Sequence, residues 1–284
     1  MIECDSVAIV SGGLDSITLT YDLVHQGYTP HLLSFNYGQR HKKELTFAGE
    51  AAKYFGLKWD VVDLQGLTHL ISNSALTSPA STPGNPGHKY DAQGHKIGEF
   101  KDIEVPDGHY AEDNMAATVV PNRNMIMLSI AAGVAVNYGY QIIGTGVHAG
   151  DHAVYPDCRP EFITSVAQTI GAATQGFGNW RKLEEDDGAV ATVLAPYLYW
   201  SKAEIAAQAF RLGVPLHKTW SCYKGGENHC GRCGTCVERL EAIDIAKMRM
   251  VELYPETETV WSDATVYDDT EFWKNEIAKK VTND

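Results

Sequence analysis

Ser11-Gly12-Gly13-Leu14-Asp15-Ser16 brings two glycines, two hydroxyls and a carboxylate together in six consecutive residues. Glycines let backbone N–H groups approach an anion that a Cβ would hold away. A helix opening just beyond them adds the partial positive charge of its N-terminus. That chemistry is a phosphate cradle. It lacks the Gly-x-x-x-x-Gly-Lys of the ordinary P-loop and the Gly-x-Gly-x-x-Gly of dinucleotide binders; the plainer reading is a strand-to-helix turn with glycines for geometry alone. The second concentration is Cys222, Cys230, Cys233 and Cys236, four of six cysteines within fifteen residues, among Gly225, Gly226, Gly231 and Gly234. Thiolates so spaced suit tetrahedral zinc in a closed structural site, and also hold iron–sulfur clusters. A secreted disulfide framework is spread differently. Cys4 and Cys158 fall outside the spacing and read as core or loop thiols.

A cradle needs a strand before it and a helix after it. Val7–Val10 is a short apolar run that reads as a buried parallel strand, and Ile17, Leu19, Leu23 and Val24 recur at helical spacing beyond the glycines. Strand patterns at 31–35 and 58–64 flank a helix pattern at 43–55, so a β-α-β-α-β order emerges. Later come an apolar helix from Met125 to Val136 ended by Gly139, a strand at 141–145, a helix from Pro160 and a strand at 192–194. The expected fold is α/β: a doubly wound parallel sheet of about five strands with a C-terminal metal-binding loop and helix. Ligand then lies at the carboxyl ends of the strands.

Between these elements, residues 72–114 are rich in Ser, Thr, Pro and Gly and read as a loop insertion with a small hairpin near 89–99. Ser201-Lys-Ala-Glu204 is a capping box opening a helix that Gly213 ends, which accounts for Lys202 and Glu204 by capping. A helix near 235–253 follows the cysteines. His148, Asp151 and His152 have the types of a metal trio, but they sit in a polar stretch that suits plain solvent exposure and are not assigned as ligands. Tyr37 is placed to stack on a purine or to fill the core.

With 284 residues, 44% of them hydrophobic, the chain can bury a substantial core. Its net charge of −13 disfavours a broad nucleic-acid footprint. No apolar run reaches the ~18 residues of a membrane span, and the first strand begins without a signal-peptide pattern, so the expected location is the cytoplasm.

The cradle resembles the PP-loop of the ATP pyrophosphatase superfamily, whose members split ATP between its α and β phosphates and use AMP to activate a carboxylate or carbonyl. Four more stretches narrow the resemblance: Asn36-Tyr-Gly-Gln-Arg-His41, Val120-Pro-Asn-Arg-Asn124, Gly146-Val-His with Tyr155-Pro-Asp-Cys-Arg159, and Trp220-Ser-Cys-Tyr223 with Cys230-Gly-Arg-Cys-Gly-Thr-Cys236. In this order, over residues 6–250, they are similar to the 7-cyano-7-deazaguanine synthase family. The resemblance implies ATP-dependent conversion of 7-carboxy-7-deazaguanine and ammonia to the nitrile, through adenylated carboxylate and amide. It implies ATP, Mg²⁺ and Zn²⁺ as cofactors, and a homodimer. Catalytic roles are assigned to Asp15, Ser16, Arg123, Asp157 and Arg159. Arg40, Arg123 and Arg159, each after a strand or opening a helix, read as phosphate or carboxylate contacts or as surface salt bridges. Asp157 reads as a magnesium or substrate contact or as a turn residue after Pro156. ATP is held by Val10, Ser11, Gly12, Gly13, Leu14, Asp15, Ser16, Ile17 and Arg40, and zinc by Cys222, Cys230, Cys233 and Cys236. Residues 1–220 form the ATP-binding domain and 221–284 the zinc-binding region. The chain departs from the family at Leu14, where Gln is usual, at Asn122, where Gly is usual, and over 148–154, where an acidic, serine-containing run is usual. Those departures leave room for a PP-loop enzyme activating another carboxylate, or a deazaguanine-transfer paralogue. A tRNA thiolase wants a basic surface, an NAD or GMP synthetase leaves the cysteines unexplained, and a non-catalytic nucleotide-binding module needs no acid at Asp15.

Overall fold

The computed structural model describes residues 3–67, 74–77, 88–90, 96–99, 103–174, 191–254 and 263–281. Strand β1 (Ser6–Ile9) leads through Gly12 and Gly13 into helix α1 (Leu14–His25). Strand β2 (Pro30–Asn36), helix α2 (Glu44–Phe55) and strand β3 (Trp59–Asp63) follow. Strands β4 (His88–Tyr90) and β5 (Lys96–Glu99) pair antiparallel as the small hairpin the sequence predicts. The remaining elements are α3 (Glu112–Met115), α4 (Arg123–Tyr138), β6 (Ile142–Gly144), α5 (Pro160–Thr174), β7 (Thr192–Leu194), α6 (Lys202–Arg211), α7 (Gly234–Leu253) and α8 (Phe272–Val281).

The main sheet has the order β3-β2-β1-β6-β7, and every pairing in it is parallel. Strand-by-strand alternation explains why both of its faces are covered. Val7 and Leu33 point into one core with Leu128, Ala131, Ile143 and Ile163, whereas their neighbours Ala8 and Leu32 point into another with Leu19, Leu23, Ala48 and Ile205. Helices α4 and α5 thus lie on one face, and α1, α2 and α6 on the other. The winding runs outward from β1 to β3 on one side and through β6 to β7 on the other. The crevice where it reverses, between the ends of β1 and β6, is where open α/β sheets bind ligands.

Gly12 shapes that crevice. Its φ is +102°, and a Cβ there would collide with the Glu44 carbonyl at the start of α2. The sequence did not predict α8. It packs along α7, and Arg232 lays its guanidinium 4.4 Å from the Phe272 ring centre. The tail is drawn in by Arg239, which is fully buried and donates to Tyr267 Oη at 2.9 Å, Thr219 Oγ1 at 2.7 Å and the Leu216 carbonyl at 2.8 Å. Part of the 72–114 insertion is also docked: Asp107 bridges to Cys233, and the Gly108 N–H donates to the Arg232 carbonyl at 2.9 Å. Most of its prolines and Trp261 lie outside the described residues. Among those described, no helix is long and apolar enough to cross a membrane.

Gly27 also has positive φ, +94°, but open space where a Cβ would go. Gly27→Ala should therefore cost only backbone strain, about 1–2 kcal/mol. Gly12→Ala adds the collision and should cost about 2–4 kcal/mol. Equal losses in urea unfolding would remove the packing role assigned to Gly12.

Candidate active site

A cavity opens at the β1/β6 crevice, and the first turns of five helices contribute to its wall: Asp15 from α1, Glu44 from α2, Arg123 from α4, Lys202 from α6 and Thr235 from α7. The cradle is pre-shaped by its own hydrogen bonds. The Gly12 N–H donates to Ser16 Oγ at 3.2 Å, the Gly13 N–H donates to Ser11 Oγ at 3.2 Å, and the two hydroxyls lie 3.2 Å apart. Trp220, two residues before the first clustered cysteine, donates its N–H to the Gly12 carbonyl at 2.9 Å.

Beside the cradle, Lys202 Nζ lies 2.6 Å from Asp15 Oδ2 and 3.7 Å from Glu238 Oε2. Burial works against the Lys202 cation, but Asp15, Glu238 and Asp151 outweigh it and hold its pKa above the usual lysine range. Burial likewise works against the Asp15 carboxylate, and Lys202 with His148 overcomes it, leaving that pKa lowered. Glu238 goes the other way, raised by burial. His148 is 1% exposed. Its Nδ1 accepts the Gly150 N–H at 3.1 Å, which assigns the ring proton to Nε2, 3.5 Å from Asp151 Oδ2 and 3.9 Å from Asp15 Oδ2. Asp151 in turn accepts from Tyr110 Oη at 2.8 Å. Asp15 Oδ1 is buried and has no hydrogen-bond partner among the described residues, which suits a cation.

Tyr37, His41, Glu44, Arg123 and Tyr223 line the same cavity. His41 stacks on Tyr223 with ring centres 4.9 Å apart, and Arg123 lies over the Tyr155 ring at 5.6 Å. Burial, with Arg123 nearby, pushes His41 down to about 3, so it is neutral. Burial drives Glu44 up to about 8 against the opposing effects of Gln39 and Arg123.

The sulfurs of Cys222, Cys230, Cys233 and Cys236 all lie within 4.8 Å of one another, and Cys222, Cys233 and Cys236 are 0% exposed. Cys233 is the N-cap of α7. Backbone N–H groups of Arg232 and Cys233 donate to Cys230 Sγ at 3.4 and 3.3 Å. Hydrogen bonds from Cys222, Cys233 and Cys236 hold Cys230 far below the ordinary thiol range, while the bonds Cys236 makes push it far above. Four thiolates this close repel one another, and a bound cation relieves that repulsion. The donor set fits a metal.

A family model described as "Queuosine biosynthesis protein QueC" matches residues 5–94 and 88–247. A 7-cyano-7-deazaguanine synthase of Paracoccus denitrificans is 41% identical over 275 residues, 97% of this chain and 98% of that protein. The chain belongs to the 7-cyano-7-deazaguanine synthase family. Relatives of that name in Brucella anthropi (41% identity, 97% and 98% covered) and Rhizobium johnstonii (40%, 96% and 96%) agree. Among solved structures, an NMN synthetase from Francisella tularensis aligns over 94% of this chain and 90% of its own at 12% identity and a TM-score of 0.41, too loose a likeness to carry an argument.

Of the residues expected in the synthase family's site, Val10, Ser11, Gly13, Leu14, Asp15, Ser16 and Arg123 line the cavity. Gly12 and Ile17 sit behind it, one packed on α2 and the other 2% exposed in the core. Arg40, Asp157 and Arg159 are not among its lining residues. Arg40 Nη2 donates to the Ile103 carbonyl at 2.7 Å, and Arg159 Nε donates to the His152 carbonyl at 2.8 Å. Asp157 Oδ2 accepts the Asn124 N–H at 2.8 Å and so caps α4. Two expectations need correction. The capping box is present, but its Lys202 also reaches Asp15, across 187 residues of sequence. The 148–152 stretch is not plain solvent-facing, because His148 is buried against Asp15 and Asp151. Tyr37 is both buried and cavity-lining.

Lys202→Met leaves Ser201 and Glu204 free to cap α6, so helicity should hold while ATP binding weakens by about 10- to 100-fold, or ~1.4–2.7 kcal/mol. Unchanged affinity by calorimetry would return Lys202 to capping alone. Cys233→Ser should strip the metal from the purified chain by elemental analysis and lower Tm by about 10 °C or more. A metal-free variant that melts with wild type would deny the cluster a structural role.

Proposed function

We infer that the chain is a 7-cyano-7-deazaguanine synthase, an ATP-consuming ligase that converts 7-carboxy-7-deazaguanine and ammonia to the nitrile. The observation that carries this reading is one cavity that joins a PP-loop cradle to an end walled by Tyr37, Tyr223 and the Arg123 cation, in a chain 41% identical to synthases of that name.

A carboxylate on an electron-rich ring resists ammonia. Its oxygen therefore attacks the α-phosphorus of ATP and pyrophosphate leaves. Ammonia then attacks the acyl carbon, loses a proton, and AMP departs to give the amide. A second ATP adenylates the amide oxygen; loss of the remaining N–H protons and departure of AMP with that oxygen yields the nitrile. No step needs an oxidant or reductant. The protein's task is placement and charge neutralisation. The α1 N-terminus lies toward the phosphates, Ser11 and Ser16 offer hydroxyls that the Gly13 and Gly12 N–H groups hold in place, and Lys202 offsets the charge that grows on pyrophosphate. Arg123 is suited to the substrate carboxylate through its guanidinium fork. Asp15, with its unpartnered Oδ1, would hold Mg²⁺ together with Asp151; bound there, the ion neutralises phosphate charge. The four cysteines would hold Zn²⁺, since a closed, buried thiolate tetrad leaves no open position for catalysis. Asp157, Arg159 and Arg40 contribute by fixing the loops around the site.

Further parts of the reading are a cytoplasmic homodimer of chains with an ATP-binding domain at 1–220 and a zinc-binding region at 221–284. The exposed Met248, Leu253 and Tyr254 at the end of α7 favour self-association, and the charge of −13 argues against stable nucleic-acid binding.

Purified chain given Mg-ATP, ammonium and 7-carboxy-7-deazaguanine should form the nitrile by mass spectrometry, with AMP released, and Asp15→Ala should lower turnover at least about 1,000-fold. ATP consumption without nitrile would redirect the search to another carboxylate. No consumption by metal-replete protein would sink the enzyme reading.

A further inference from the structure

Glu44 is a carboxyl group placed where the folded chain does not satisfy it. It is 7% exposed and lines the cavity. Its Oε1 accepts from Gln39 Nε2 at 3.2 Å and sits 3.5 Å from His41 Nε2. Its Oε2 makes no hydrogen bond among the described residues. Gln39 cannot turn away, because its Nε2 also donates to the Phe35 carbonyl at 3.0 Å and its Oε1 accepts the Tyr37 N–H at 2.9 Å. The fixed hydrogen-bond partner of Glu44 is a donor, Gln39 Nε2, and the Arg123 cation lines the same cavity; the neutral His41 beside it donates or accepts at Nε2 according to its tautomer. A carboxylate completed by two further donors fits this pocket. Tyr37, Tyr223 and the stacked His41 supply flat walls beside it.

We propose that Glu44 reads the edge of a 2-amino-6-oxo deazapurine, its two carboxylate oxygens accepting from the ring N1–H and the exocyclic 2-amino group. Two adjacent donors mark a guanine-type edge; adenine presents one donor beside an acceptor. The proposal deepens the synthase reading and rests on it for the substrate class. It is tested by binding alone, without turnover, so a failed nitrile assay and a failed Glu44 assignment give different results.

Binding is linked to a proton. The free Glu44 carboxyl is held up near 8 by burial, and the accepting form is the carboxylate. Its charged and titratable neighbours keep their state near neutrality: His41 is neutral, Arg123 stays a cation, Tyr37 is raised to about 12 and Tyr223 well above 10. Affinity for the deazapurine should therefore rise about 20-fold from pH 6.5 to 8.5 as Glu44 sheds its proton. Stability carries the opposite sign. A carboxyl whose folded pKa is raised from 4.5 to about 8 stabilises the native chain most below the lower value and loses that contribution as pH rises toward the upper one, so wild type should lose stability between about pH 5 and 8. Glu44→Gln, neutral throughout, should not.

The experiment is calorimetry with 7-carboxy-7-deazaguanine, its analogue lacking the 2-amino group, and ATP, each with wild type and Glu44→Gln. Thermal melting at pH 6.5 checks that the variant is folded. The expected result is a loss of about 100-fold for the parent ring in Glu44→Gln and of about 10-fold or more for the 2-deamino ring in wild type. The variant should not distinguish the two rings, and its ATP affinity should stay within about twofold of wild type. A variant that still discriminates the 2-amino group overturns the proposal. So does ATP affinity that falls with Glu44→Gln or above pH 8, which would give Glu44 to adenine, and so does a wild type that binds neither ring.

Discussion

Lys202 Nζ stands 2.6 Å from Asp15 Oδ2, and the site depends on keeping that pair in register. Asp15 is fixed by the first turn of α1 and Lys202 by the first turn of α6, two helices that pack against each other on one face of the sheet. With Arg123 from α4, Glu44 from α2 and Thr235 from α7, five helices begin at one cavity. A parallel sheet places four of these starts, since its strands end on one side and the helices after them begin there; α7 follows α6, and the cysteine-bearing segment between them returns the chain to the cavity. The positive ends of their dipoles sum over the crevice, and Asp15, Asp151 and Glu238 answer that field when no phosphate does. A phosphate chain enters a place whose charge is already positioned.

The cysteine cluster belongs to the same arrangement although none of its sulfurs need touch substrate. Cys233 caps α7, and the next turn of that helix brings Thr235 and Glu238 to the cavity. On the other side of the cluster, Trp220 hydrogen-bonds the Gly12 carbonyl of the cradle and stacks on Phe47. A metal that fixes four sulfurs therefore fixes both the start of α7 and the segment that leans on the phosphate loop. Asp107, bridged to Cys233 and ion-paired to Lys224 and Arg232, adds the end of the long insertion to this clamp.

The parts of the fold legible in the sequence were those set by local periodicity. The apolar run at 7–10, the strand pattern at 31–35, the alternation at 58–64 and the helical spacing at 125–136 each name their element. The cradle and the cysteines were legible because their chemistry is contiguous. Lys202 was not: its partner is 187 residues away, and its neighbours Ser201 and Glu204 already explained it. Arg40, Asp157 and Arg159 show the converse ambiguity. A cation or carboxylate beside a helix start is equally suited to a ligand and to an orphan backbone group, and here the backbone carbonyls of Ile103 and His152 and the N–H of Asn124 take them. Glu44 was hidden because an acidic first-turn residue is ordinary helix chemistry until burial removes its water.

The departures from the family pattern resolve in physical terms rather than weakening the site. Asn122 has φ +60°, the one non-glycine residue with positive φ among those described. A left-handed position ahead of α4 suits Gly, and Asn is the side chain that tolerates it best, so the exchange preserves the turn that delivers Arg123. Leu14 is 1% exposed, and its backbone lies in the first turn of α1 whatever its side chain, so the cradle's N–H groups are unaffected. The change at 148–154 has more consequence. An imidazole, buried and committed through Nδ1 to the Gly150 N–H, stands against Asp15 and Asp151. His148 keeps the loop folded through its own backbone contact, and Lys202 stands as the fixed positive charge among Asp15, Asp151 and Glu238 beside the cradle.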